Sequence, residues 1–226
     1  QGGQVKLFAL IAVALLLPQE KNEAEELYKK MEAKILEAKT IQVKVKGTLD
    51  DGKIEVTADV LAGEANRGRI DVEMKAGGST RSFGSISDGK SMQTTAAEGM
   101  KMAPAETPEK FGVLIRKTLA NFGGLTASEA FSPGQAKADP ATVYKVSDFV
   151  LGPKGKVGEI EAQMVQYKVA TKYETGITMM VWIDPKTNLP LKRSIVTRTK
   201  SGEETYPEVK IDEKIDPAKF ELPKAK

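Results

Sequence analysis

Histidine and cysteine are both absent from this chain of 226 residues, and tryptophan occurs once, at Trp182. Without them there is no Ser-His-Asp or Cys-His nucleophilic set, no thiolate chemistry and no disulfide. The usual zinc, haem and iron–sulfur ligand sets are excluded as well. Carboxylates alone can hold a hard cation, but no EF-hand-like loop occurs. An excess of one charge is also missing: 34 Lys+Arg stand against 31 Asp+Glu, a net charge of +3. Nucleic-acid binding calls for a concentrated basic face, so no nucleic-acid partner is expected. No cofactor or metal is implied, and enzymatic activity is not expected. What is present is 40% apolar and 29% charged residues, the composition of a soluble globular protein. The length suits one domain of about 200 residues with a sizeable core.

Lys6 precedes an unbroken apolar run from Leu7 to Leu17, which Pro18 ends. Eleven residues are too few to cross a hydrocarbon core of about 30 Å as a helix. A positive start followed by such a run is the pattern of a secretory signal peptide. Residues 1–19 are therefore read as a signal peptide and 20–226 as a single domain, exported to the periplasm. The abrupt change to Gln19-Glu20-Lys21-Asn22-Glu23 argues against a buried helix. None of Asn22, Asn66, Asn121 and Asn188 lies in a glycosylation sequon. Together with the missing cysteine, this fits a bacterial envelope protein.

Beyond Asn22, Ala24, Leu27, Tyr28, Met31, Ile35 and Ala38 recur at helical spacing. The period then changes to two. Ile41, Val43 and Val45 alternate with polar residues, as do Ile54, Val56, Ala58 and Val60, and then Ile70, Val72 and Met74. Asp50-Asp51-Gly52, Ala76-Gly77-Gly78-Ser79 and Asp88-Gly89 supply the turns. Thr107-Pro108-Glu109 predicts the start of a second helix with Thr107 as its cap, and Gly123-Gly124 its end. Residues 125–141 read as a loop with a short helical turn at 128–131. Strands resume over 142–151, 158–172, 176–184, 189–199 and 204–212, with a bulge expected near Gln163-Met164. Gly152-Pro153-Lys154-Gly155-Lys156-Val157-Gly158 lacks Walker spacing and reads as a solvated hairpin.

Short connections demand antiparallel neighbours. About ten antiparallel strands with one apolar face need a cover, and two helices are available. A long twisted sheet curls. The expected fold is α+β, mainly β: an incomplete antiparallel β-barrel with helices covering its concave face.

Three stretches carry a family resemblance. Ser87-Asp88-Gly89-Lys90-Ser91-Met92 resembles the "SDGK" hairpin of LolA/LolB-like outer-membrane lipoprotein carriers. Val181-Trp182-Ile183-Asp184-Pro185-Lys186-Thr187-Asn188-Leu189-Pro190 is similar to their "WID-x-x-T-x-LP" hairpin. Ile215 to Pro223 is similar to their "D-x-x-x-F-x-x-P" ending. The resemblance implies an unclosed antiparallel barrel under a helical lid, and a protein that shuttles or senses acylated molecules. Two departures stand out. An Arg-Pro step linked to lid closure is missing at Asn66-Arg67-Gly68-Arg69, and methionines stand where some members carry tryptophans. Acceptor members are anchored through an N-terminal Cys, and none follows the leader here, so a soluble carrier is expected.

The expected function is that of a periplasmic carrier or chaperone. It would bind acyl chains of lipids or lipoproteins in an apolar cavity under a helical lid. Candidate contacts on the strands are Val45, Ile54, Val56, Ile70, Val72, Met74, Met92, Met179 and Val181. Met100 and Met102 in a Pro-flanked segment suit a lid edge, because methionine is flexible and adapts to apolar partners. Phe111, Leu114, Ile115, Leu119 and Phe122 form the stripe of the covering helix. Arg67, Arg69 and Arg81 are candidates to meet a cargo head group, or else belong to a solvated strand face. The alternative is an envelope-stress sensor or interaction module on the same fold, with an envelope membrane protein as partner. A monomer is expected in either case.

Overall fold

A computed structural model describes residues 22–95, 100, 102–125, 139–171 and 174–223. The leader read at 1–19 and the helical turn read at 128–131 lie outside them. Helix α1 spans Glu23–Leu36, and Asn22 caps it by accepting from the N–H groups of Ala24 and Glu25. Glu23, Glu25 and Glu26 in its first turn complement the helix dipole. Five strands follow: β1 Ile41–Leu49, β2 Ile54–Ala62, β3 Gly68–Ala76, β4 Ser79–Ser87 and β5 Ser91–Thr95. A two-residue strand β6 (Ala105–Glu106) precedes helix α2 (Phe111–Asn121) and a short helix α3 (Pro140–Val143). The second block comprises β7 Lys145–Val157, β8 Ile160–Ala170, β9 Ile177–Asp184, β10 Leu189–Val196 and β11 Ser201–Ile211. A 3₁₀ turn, Pro217–Phe220, comes last.

The strands form one antiparallel sheet in the order β6-β5-β4-β3-β2-β1-β11-β10-β9-β8-β7. Two meanders are thus joined at the centre by β1 and β11, with Ile41 opposite Ile211 and Leu49 opposite Gly202. β6 and β7 are the two edges and do not pair, so the barrel stays open. The chain between them must travel from one edge to the other, and α2 makes that crossing over the concave face. Inward residues of both meanders and the apolar stripes of α1 and α2 merge into one core. The architecture is the expected one, with β6 raising the strand number to eleven.

All three motif stretches have local structural reasons. Asp88 Oδ1 accepts from the N–H groups of Lys90 and Ser91, both at 2.8 Å, while Gly89 takes a φ of +99°. Asp184 accepts from Lys186 N and Thr187 Oγ1 at 2.8 Å each, and Asn188 sits at φ +56°. Asp216 caps the 3₁₀ turn, which buries Phe220 against Arg67.

The structure corrects three local expectations. Helix α2 begins at Phe111, and Thr107 is not its cap: its hydroxyl pairs with Ser87 Oγ at 2.7 Å in a buried contact. Residues 152–157 continue β7, and only Gly158-Glu159 turn. An edge strand tolerates Pro153 because one side of its backbone has no partner. The irregularity opposite Gln163-Met164 does exist, but the extra residue belongs to β7: Leu151 pairs with Val165 and Lys154 with Gln163. A second shift separates Ser147 from Val150, next to Asp148 at φ +57°.

Candidate functional site

The sixteen candidate contacts divide cleanly. Val45, Val56, Ile70, Val72, Met92, Phe111, Leu114, Ile115, Leu119, Met179 and Val181 are buried members of the core. Ile54, Met74 and Phe122 are half-buried and pack against it. Met100 and Met102 stay outside, 68% and 44% exposed. Met102 is tied to the β5 edge by its N–H, which donates to Thr94 O at 2.8 Å. A void of about 10 Å³ lies among Phe122, Leu125, Met179 and Ile195. A larger hollow, about 590 Å³, lies on the opposite face of β1–β5, where Lys44, Asp59, Arg69, Asp71 and Glu73 line it. There Arg69 pairs with Asp71 and Lys44 with Glu208, as expected of a solvated strand face.

Helix α2 covers the interior and is held mostly by side chains that reach backbone groups. At its start, Asn66 from the β2–β3 turn acts as a cap supplied by a distant part of the chain. Its Oδ1 accepts from Gly112 N at 2.8 Å and its Nδ2 donates to Pro108 O at 2.7 Å. Phe111 and Ile115 lie directly over Gly68, where a Cβ would stand 2.3 Å from Ile115 Cδ1. Arg116 donates to the carbonyls of Ala38, Lys39 and Gly63, joining α2 to the end of α1 and to β2.

The end of α2 rests on a buried ion pair. Arg193 and Glu204 face each other in register on β10 and β11, 1% and 4% exposed. The Arg193 guanidinium donates to Leu119 O at 2.9 Å and Ala120 O at 3.0 Å, the exposed carbonyls of a helix C-terminus. Glu204 accepts from the N–H groups of Gly124 and Leu125 and from the Tyr206 hydroxyl. Gly123 adopts φ +99°, and a Cβ there would run into Glu204. Tyr167 Oη donates to Asn121 O at 3.0 Å. Burial by itself would lower the Arg193 pKa, but Tyr167, Tyr206 and Glu204 raise it, so its charge is secure. Burial pushes the Glu204 carboxyl up, against the pull of Arg193 and its hydrogen bonds.

A second polar contact joins the two helices. Glu32 of α1 accepts from Lys117 and Lys29 at 2.8 Å each and from Asn121 at 2.9 Å. Burial would raise its pKa, but the three donors together bring it down to about 2.

Arg193, Glu204, Arg116, Asn66 and Glu32 are not among the candidate contacts read from the sequence. A signal was available for the ion pair. Arg193 shares strand parity with Ile195, and Glu204 with Tyr206, so both charges sit at inward positions. The three arginines marked for a head group do not come together. Arg67 stacks on Phe220, 5.4 Å from the ring centre. Arg69 pairs with Asp71 and reaches Lys219 O. Arg81 is exposed on β4, opposite Met74. Among the described residues, no group of three or more Asp or Glu could hold a metal ion. No helix there is long and apolar enough to cross a membrane.

No protein-family model matches the chain, and no curated protein matches it by sequence. Solved structures do. LprF from Mycobacterium bovis superposes with a TM-score of 0.54 at 13% identity, covering 90% of this chain and 98% of that one. The fold is LolA-like. A LolA superfamily protein, NE2245 from Nitrosomonas europaea, matches at TM-score 0.35 and 10% identity, covering 88% of this chain and 97% of that one. MucB in complex with MucA(peri) matches at TM-score 0.42 and 13% identity, covering 89% of this chain and 60% of that one. The arginine that grips the end of the covering helix is Arg193, on β10. The turn after the second strand, Asn66-Arg67-Gly68-Arg69, supplies the cap of α2.

Proposed function

We propose that this protein is a carrier of acyl chains of lipids or lipoproteins in the bacterial envelope. The site is the apolar interior between the concave sheet and α2. The observation that carries this reading is how α2 is held. It buries the apolar stripe Phe111, Leu114, Ile115 and Leu119, while discrete hydrogen bonds of Asn66, Arg116, Glu32, Arg193 and Glu204 hold it in place. Such a helix can move as a unit when those bonds are exchanged, exposing Leu114, Leu119, Val45 and Met179. Each buried CH₂ of a cargo chain is worth about 0.8 kcal/mol, so a long chain offsets the cost of opening. Near the end of α2, Tyr28 Oη and Arg193 Nε are buried without a protein partner. Both are donors suited to the carbonyl of an acyl ester.

A disulfide lock tests the reading, and the absence of native cysteine makes it clean. A Cβ on Gly124 would stand 3.4 Å from Val45 Cβ, close to disulfide geometry. The Gly124→Cys/Val45→Cys variant should take up a fluorescent fatty acid when reduced and lose at least about ten-fold of that uptake when oxidised. Equal uptake in both states would move the site away from α2. Native mass spectrometry of gently purified protein should show an acyl-bearing adduct. A pull-down dominated by a membrane-spanning regulator, with no acyl uptake, would favour the sensor alternative.

A further inference from the structure

The outer faces of the two meanders differ in chemistry. On β1–β3 the outward positions carry Lys44, Lys46, Asp59, Asp71 and Glu73, paired or solvated. On β7–β10 the same side of the sheet carries Val150, Ile160, Met164, Met180, Trp182 and Val196. Strand register places Met164 beside Trp182 and Gln166 between Val150 and Met180. Val150 is 53% exposed, Ile160 45% and Val196 43%, while Met164, Met180 and Trp182 are half-buried. β7 and β8 also run beyond β9, whose pairing stops at Gln163 opposite Ile183, so Val157 to Ala162 form a projecting two-stranded arm. Nothing in the interior uses this surface.

Charge says what it meets. Residues 145–200 hold ten Lys or Arg, including the buried Arg193, and five Asp or Glu, a balance of +5 in a chain of +3. Lys192 lies over the Trp182 ring at 5.0 Å while pairing with Glu203 at 2.8 Å, and Lys168 projects from the same face and pairs with Asp148 at 3.2 Å. An aromatic ring among apolar side chains, flanked by lysines whose stems can lie along them, matches the polar–apolar boundary of a bilayer.

We propose that the outer face of β7–β10 around Trp182 docks on the surface of an anionic lipid bilayer. This surface is separate from the acyl-chain interior and stands whether or not that reading holds. The single tryptophan makes the test direct, because all tryptophan emission comes from the surface in question. The full chain is mixed with phosphatidylglycerol–phosphatidylcholine vesicles whose acyl chains are brominated. Trp182 emission should shift to the blue and fall at least about two-fold, and the effect should weaken with salt and in purely zwitterionic vesicles. Val150→Asp/Ile160→Asp, at two exposed positions, should partition at least about ten-fold more weakly with far-UV circular dichroism unchanged.

Three results would overturn the proposal. One is vesicle-bound protein with unquenched Trp182, which assigns attachment to the leader alone. Another is undiminished quenching in the double variant. The third is equal quenching by monomeric brominated fatty acid, which places the lipid in the interior. Acyl uptake is read separately by native mass spectrometry, so failure of either proposal leaves the other measurable.

Discussion

Arg193 is where the interior's polar chemistry converges. It neutralises Glu204, fills the carbonyls of Leu119 and Ala120, and lies 5.8 Å from the Tyr206 ring. Removing it leaves a buried carboxylate and two carbonyls without their donor. Arg193→Ala should therefore destabilise the fold by about 3–5 kcal/mol in urea titration. Arg193→Met/Glu204→Gln, which removes both charges, should recover part of that loss. Glu32 makes a prediction in pH. Its folded pKa of about 2 lies below the ordinary 4.5. The contribution is complete above about pH 4.5 and is lost as pH falls toward 2, so Glu32→Gln should flatten that limb of a stability–pH curve. At this scale the sequence was only partly readable. Strand parity is a signal that Arg193 and Glu204 are inward charges, and it went unused; their mutual contact depends on the β10–β11 register. Their hold on α2 depends on a helix more than seventy residues earlier.

Helix α2 shows how tertiary contacts overrode a local signal. Thr-Pro-Glu is a good helix start, yet Thr107 is held by Ser87 and the cap comes from Asn66. No short-range pattern can report a cap that lies about forty residues away. The apolar stripe from Phe111 to Phe122 was legible because its period is intrinsic to the helix. Two substitutions separate the contributions. Asn66→Ala should cost about 1 kcal/mol, the usual worth of a cap. Gly68→Ala should cost about 1–3 kcal/mol by pushing Phe111 and Ile115 off β3. If α2 is the element that moves, both variants should also speed acyl uptake by several-fold, as measured by stopped-flow with a fluorescent fatty acid. Strand β7 was misread at Gly152-Pro153 for the opposite reason. The turn residues are real, but at an edge they make a bulge instead of a turn.

The whole molecule rests on pairing its first strand with its last. β1 and β11 are about 160 residues apart in sequence, and each meander contributes one of them to the centre of the sheet. A sheet joined in this way should unfold as one unit. Urea transitions followed by Trp182 emission, which reports β9, and by far-UV circular dichroism should coincide. Two separate midpoints would divide the chain into two domains. The fold class was legible because period-2 alternation and short turns leave few ways to arrange so many strands. The strand order at the centre was not, since no local residue records which distant strand lies alongside.

The open barrel has a further consequence in the shape of its two ends. An eleven-strand sheet is a template on which more chains can add, and a protein concentrated in a confined compartment would grow into fibres along it. One end here is only two residues long. The other is interrupted twice, carries a proline, and presents Lys145, Lys154 and Lys156. Both ends are poor templates, so the sheet can remain unclosed without recruiting copies of itself.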